Sequence, residues 1–399
     1  MTLHPLLEQF IRVGRLPTSA FSETQEWPAL IQSARCQQMT CVLYRWLKHS
    51  GMLQRLPVRD ADQIRADAAA VTAYGLRLIS ELKRLLQVFQ KDGIPVIPVR
   101  GPALSQFLYH DPAARPMGDL DILIRKEDLF CLIVRLKALG YQTVESRLAF
   151  DRAYSYGLTF VRERPFQVVV QPHWTIGFPP FGDRIDMGQV WARSVRARVV
   201  GVESLSLSPE DLLIHLCAHL VHRRPDRPLL WIYELALFLR REESSLDWPK
   251  VLAIAQLSGI EAFLWESFQE ASDRCPVRVP VGILQSLASA RPRSFLDRLA
   301  LRVVTKSTLP GRELLAAALT LRGFRARLRF LTALLLPPLE YMKVRYGAST
   351  ARRGASLYLK RWRDLFHEAI LGLLLAIRKK DSPESSQTAG PAARHSFPP

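Results

Sequence analysis

Asp119 and Asp121 stand two residues apart, at the start of the apolar pentapeptide LDILI (120–124). On an extended strand alternate side chains share a face, so the two carboxylates converge on one point. Ionised carboxylates held together repel, and a divalent cation relieves the repulsion. Mg²⁺ (or Mn²⁺) suits them, because a hard ion takes carboxylate oxygens together with phosphate oxygens. Arg100-Gly101 ends the preceding run IPVIPV (94–99) and opens a stretch with helical spacing. Glycine lets the backbone approach a phosphate, and a helix N-terminus offers N–H donors to it. Arg115, four residues before Asp119, can hold phosphate oxygens in fork geometry. Metal-binding carboxylates and positive charge thus meet in one short segment, as phosphoryl transfer requires.

The surrounding pattern predicts the elements that position these groups. IPVIPV reads as a strand whose prolines favour a strand end or a sheet edge. PALSQFLYH (102–110) reads as a helix, LDILI as a second strand, and KEDLFCLIVRLKALG (126–140) as a helix closed by Gly140. Tyr141–Val144 can begin another strand, and FQVVVQPHW (166–174) is the clearest strand in the chain. The expected fold class is α+β: a small mixed α/β sheet, flanked by N-terminal helices and a mostly helical C-terminal region. Residues 1–92 form the N-terminal helical region, where Leu78, Leu82, Leu85, Leu86 and Phe89 make one apolar stripe and Gly93 follows the helix end. The α/β domain spans 93–205, an Arg-rich helical region 206–380, and residues 381–399 have the composition of a disordered tail. Ser208-Pro209-Glu210-Asp211 supplies an N-cap, a first-turn proline and acids at the positive end of a helix. Breaks are expected near 225–228, 244–249, 276–282 and 337–338.

The stretch GIPVIPVRGPALSQFLYHDPAARPMGDLDILI (93–124) resembles the uncharacterised nucleotidyltransferase family, a branch of the polymerase-β-like superfamily. Arg100-Gly101, Ala103-Leu104, Tyr109, Arg115, Asp119, Asp121, Leu123 and Ile124 follow the family's run. QPHWTIG (171–177), LSPEDLLIHLCAHLVHRR (207–224), LLWIYELALFL (229–239) and the Arg-rich end are similar as well, so the likeness covers about residues 80–365. It implies a nucleoside triphosphate bound through Mg²⁺ on Asp119 and Asp121, with Gly101 against its phosphates. An acceptor hydroxyl of unidentified nature, in peptide or polysaccharide biosynthesis, would then attack the α-phosphorus. Two positions depart from the pattern. Gln171 occupies the slot of the superfamily's third carboxylate, a weaker Mg²⁺ ligand that cannot act as a base. Glu234 stands where the family often has Asp. The first departure supports an alternative: a catalytically weakened nucleotide-binding or scaffold protein associating with a partner or an anionic surface.

Other features bound the function without choosing it. His215, His219 and His222 fall on one helix face, open to three readings: zinc, cleft lining (His219 above all) or packing. His173 divides between strand-end packing and a place in the site. The five cysteines are scattered without a CxxC pair, so neither a disulfide framework nor a structural zinc site is expected. No signal-peptide pattern opens the chain, and its apolar runs at 330–339 and 370–377 are too short to span a bilayer. A cytoplasmic protein, at most peripheral at a membrane, is expected. Net charge is +18, and residues 311–380 carry 15 Lys/Arg against 4 acids. That surplus attracts polyanions: nucleic acid, anionic lipid or an acidic polymer. No nucleic-acid reader motif accompanies it. GFRARLRFLTALLL (323–336) can lie on an anionic membrane or pack its apolar face and solvate its arginines.

Overall fold

A computed structural model describes residues 3–16, 26–111, 115–144, 147–178, 182–222, 227–290, 294–306, 311–321, 323–346 and 354–378. Part of the loop before Arg115 and the expected tail at 381–399 lie outside the described residues.

The chain is mixed α+β, with short strands set among many helices. Strands β1 (Val96–Pro98), β2 (Leu120–Ile124), β3 (Gln142–Thr143), β4 (Phe160–Arg162) and β5 (Val168–His173) form one sheet, in the order β1-β2-β5-β4-β3. β2 and β5 run parallel, with Asp121 opposite Gln171, and the other pairs are antiparallel. Proline-bearing β1 lies at the sheet edge, where a missing N–H costs no ladder bond. Two further strands, β6 (Val195–Val199) and β7 (Val202–Ser206), make a separate hairpin that the sequence pattern did not reveal. Its turn needs positive φ at Val200 (46°) and Gly201 (83°). That geometry usually announces itself as Asn-Gly or Asp-Gly, and a valine in the first place hides it. Ser204 Oγ donates to the Val96 carbonyl at 3.3 Å, so the hairpin lies against β1.

All five residues of β2 are buried, yet the two faces of the strand serve different cores. Leu120, Ile122 and Ile124 join Val168, Val170 and Phe160 in a core closed by Leu78, Leu82, Leu85 and Phe89 and by Leu132 and Leu136. The expected stripe on the helix Val58–Lys91 therefore packs onto the sheet, and Gly93 follows its end at φ 70°. Leu123 points the other way. With Ile97 and Val99 it enters a larger core shared by the N-terminal helices (Leu7, Trp27, Leu43) and by the helices Pro209–His222, Leu229–Arg241 and Glu261–Arg274 (Leu213, Leu230, Phe268). Asp119 and Asp121 share the parity of Leu123, so the strand's period of two turns them toward the helical half.

The helix read at 126–140 begins later, at Leu129, because residues 126–128 form a turn in which the Asp128 N–H donates to the Arg125 carbonyl (3.0 Å). Gly140 ends it with φ 85°. Ser208 caps Pro209–His222 by accepting from the Asp211 N–H at 3.2 Å. Asp211 also takes a two-bond clasp from Arg193 at 2.7 and 2.8 Å. The expected breaks at 244–249, 276–282 and 337–338 separate helices, and Gly259 adds one with φ 67°.

Candidate active site

Between the sheet and the helical half lies a cleft of about 330 Å³, lined by Arg100, Arg115, Asp119, Asp121, His219 and Trp231, and also by Gln38 and Arg312. β2 delivers the two carboxylates and β5 delivers their neighbours, because parallel pairing sets Gln171 and His173 beside them. Gln171 Nε2 donates to Asp119 Oδ2 at 3.0 Å, and His173 Nε2 lies 2.9 Å from Asp121 Oδ1. The Arg100 guanidinium takes the other Asp121 oxygen at 2.7 Å and also contacts His219 Nε2. Asp121 is 4% exposed, so each of its oxygens needs such a partner.

These partners set the charges. Burial raises the proton affinity of Asp121, but Arg100 and His173 outweigh it and hold the carboxyl below the ordinary range. Asp119 moves up, pushed first by burial and then by the charge of Asp121. His215 is driven down to about 3 by burial and by nearby Arg100, and is therefore neutral.

Gly101 is the N-cap of the helix Pro102–Tyr109, with φ 54° and ψ −121°, a conformation that L residues avoid. Of the first-turn donors, Pro102 has no N–H and the Ala103 N–H returns to the Arg100 carbonyl at 3.2 Å. The helix end thus offers fewer donors than its sequence position suggests. Arg115 is held by Glu234 in a buried clasp, Nε to Oε1 at 2.7 Å and Nη2 to Oε2 at 3.1 Å, with the Tyr109 hydroxyl also donating to Oε1 (3.3 Å). Its guanidinium borders the cleft while its fork is spent on Glu234. The pair ties the segment before Asp119 to the helix Leu229–Arg241.

The histidine row divides. His219 lines the cleft, its ring 4.1 Å from that of Trp231. His215 Nδ1 lies 2.8 Å from the Ile176 carbonyl, and His222 stacks on Phe178 at 4.4 Å. Among the described residues no three His, Cys, Asp or Glu side chains gather as a metal site. For a divalent cation the donor set is thus the two carboxylates, with the Gln171 amide in third place. Asp119 and Asp121 fit a hard ion that completes its shell with water and phosphate, provided Arg100 swings off Asp121.

Trp231, Arg312 and Gln38 are cleft residues that sequence reasoning missed. Trp231 sits in LLWIYELALFL, a stretch singled out by its resemblance to the family but with only Glu234 named from it, and Arg312 lies almost 200 positions after Asp119, so no local spacing signals either. A larger cavity of about 710 Å³ opens beyond the other end of β2, where Arg125 stands over Trp191 (5.2 Å) and Lys126 over Trp174 (5.8 Å). It holds neither the carboxylate pair nor Arg100. The cleft is assigned by its chemistry, and the cavity by size alone is not.

The family described as uncharacterised nucleotidyltransferase matches residues 23–274. That range takes in most of the N-terminal helices and stops short of the Arg-rich end, a different span from the 80–365 suggested by motifs. No curated protein matches the chain. A similar solved structure is an antigenic nucleotidyltransferase-like protein from Paracoccidioides brasiliensis, 16% identical, covering 50% of this chain and 93% of its own, with a TM-score of 0.29. A likeness that loose carries no argument about the site. Over more than half its length, the chain belongs to the uncharacterised nucleotidyltransferase family.

Proposed function

We propose that this member of the nucleotidyltransferase family binds a nucleoside triphosphate in the Asp119/Asp121 cleft and transfers its nucleoside monophosphate to a hydroxyl acceptor. The observation that carries the reading is the convergence of both carboxylates with Arg100 and aromatic Trp231 in one cleft. Asp119 and Asp121 are the residues to hold Mg²⁺, which when bound supplies charge neutralisation at the phosphate oxygens. Arg100 is the cation that trades Asp121 for phosphate, since its guanidinium already lies in the cleft on a flexible stem. Trp231 offers a ring face for the base.

In the transfer the acceptor oxygen bonds to the α-phosphorus, the bond from that phosphorus to the bridging oxygen breaks, and pyrophosphate leaves. The acceptor proton passes to solvent. Gln171 cannot take it, and Asp121 would be committed to the metal on one side and to His173 on the other.

Purified protein with an α-labelled nucleoside triphosphate and Mg²⁺ is expected to label an acceptor from a hydroxyl-compound panel, and Asp121→Asn is expected to abolish labelling. A second reading, nucleotide binding without turnover, is favoured by one observation: the Gln171 amide donates to Asp119 where a third carboxylate would stand. Calorimetric binding without labelling, with turnover gained in Gln171→Glu, would select it. No nucleotide binding at all sinks both readings.

A further inference from the structure

The Arg-rich end carries a surface that the cleft does not use. The helix Phe324–Leu335 buries one aromatic, Phe330, against Phe150 (5.7 Å) and Tyr154 (4.9 Å). Its opposite side leaves Phe324 79%, Leu328 49% and Leu331 43% exposed, at spacings of four and three residues. Along the helix Gly354–Arg378, Leu359 (63%), Trp362 (42%), Phe366 (69%) and Ile370 (41%) repeat the pattern at three, four and four. Such spacing lays each set along one helix face. The helices adjoin: Trp362 Nε1 donates to the Leu335 carbonyl and Arg361 Nε to that of Leu334, both at 2.8 Å. Seven large apolar side chains are therefore open on two neighbouring helices, far more than scattered surface hydrophobes.

Their electrostatic setting is basic. Arg325, Arg327 and Arg329 are exposed, with no carboxylate at ion-pair distance among the described residues. Residues 311–380 as a whole carry the 15-to-4 cationic excess. No helix among the described residues is long and apolar enough to cross a membrane. Basic helices with an open apolar face have the character of elements that lie on a surface. The two helices also lie outside the family match at 23–274 and contribute none of the residues that line the carboxylate cleft.

We propose that these two helices dock the protein on an anionic lipid bilayer, the apolar stripes entering the headgroup boundary and the arginines meeting lipid phosphates. Charge selects this occupant. An apolar protein groove would satisfy the stripes and leave the arginines unanswered, and a second copy of the same face would set like charges against each other. Trp362 suits the site, with an indole that works at a polar–apolar boundary.

The test is co-sedimentation of the full chain with sucrose-loaded vesicles, of phosphatidylcholine alone or with equal phosphatidylglycerol. Binding is expected to the mixed vesicles only, and to be lost in high salt. The variant Arg325→Gln/Arg327→Gln/Arg329→Gln is expected to bind about a hundredfold more weakly, from the lost near-surface contribution of three cations. Phe366→Ser is expected to weaken binding while leaving the circular-dichroism spectrum unchanged, since its side chain is open. The tryptophan emission shift on adding vesicles should shrink in Trp362→Phe. Equal binding to neutral vesicles, undiminished binding by the triple variant, or no binding by protein with a folded spectrum overturns the proposal. So does concentration-dependent dimerisation abolished by Phe366→Ser, which would give the face to a second copy.

Discussion

Replacing Glu234 by Gln tests how the loop before the carboxylates is held. Glu234 is 2% exposed and meets the buried Arg115 guanidinium through both oxygens, at 2.7 and 3.1 Å. Burial alone would make the Arg115 cation easier to deprotonate, but Glu234 more than reverses this. The amide keeps the shape and removes the countercharge, so a buried cation is left unpaired. Breaking such a pair from one side costs about 3–5 kcal/mol. With a urea dependence near 3 kcal/mol per molar, the unfolding midpoint should fall by roughly 1 M or more. Arg115→Met/Glu234→Leu removes both charges and should recover most of the loss, because the desolvation penalty goes with them. Urea titration by circular dichroism gives the three midpoints. Calorimetry on the same proteins should show Glu234→Gln binding nucleotide more weakly, as the chain entering Asp119 is freed. A Glu234→Gln midpoint within error of the parent, or a double variant as unstable as the single one, would refute the reasoning.

Other outcomes follow from single contacts. Glu81 is buried among Arg84, Arg162 and the Tyr141 hydroxyl; burial opposes its charge, but these donors win and hold its carboxyl down to about 2. A depressed carboxyl stabilises the fold above the ordinary carboxylate range and loses that contribution as pH falls toward 2. Glu81→Gln should therefore lower stability at neutral pH by on the order of 2 kcal/mol, allowing for solvent at Arg84, and the gap from the parent should close during acid titration. Gly101→Ala meets only the Asp119 carbonyl, at 3.5 Å, so its cost is conformational; a loss of about 1–3 kcal/mol in thermal unfolding is expected, and an unchanged midpoint would contradict it. Arg100→Gln frees Asp121 of its internal cation. Mn²⁺ alone should then bind about tenfold more tightly by electron paramagnetic resonance, at roughly 1.4 kcal/mol, and equal affinity would show that Arg100 does not compete with the metal.

Much of the scaffold was legible along the chain because it rests on short-range periodicity. LDILI is β2 to the residue, the Leu78-to-Phe89 stripe lies on the sheet core, and Gly93 and Gly140 end their helices at positive φ. The β6–β7 hairpin escaped because Val200 occupies a turn position that sequence alone assigns to Asn, Asp or Gly. Helix starts were blurred where, as at 126–128, a turn and a first helical turn share the same residue types.

For the carboxylate pair the two levels divide cleanly. Spacing by two on an apolar strand was enough to place Asp119 and Asp121 on one face, and this needs nothing beyond backbone geometry. Which face, and what meets the carboxylates there, belonged to the tertiary structure. Parallel pairing with β5 brought Gln171 and His173 beside them, and packing of the helical half delivered His219 and Trp231. Arg115, by sequence a ready phosphate clamp, is spent on Glu234, 119 residues away, while Arg100 sits on Asp121 instead. A buried charge is settled by the nearest counter-charge in space, and that neighbour is fixed only once distant segments have packed.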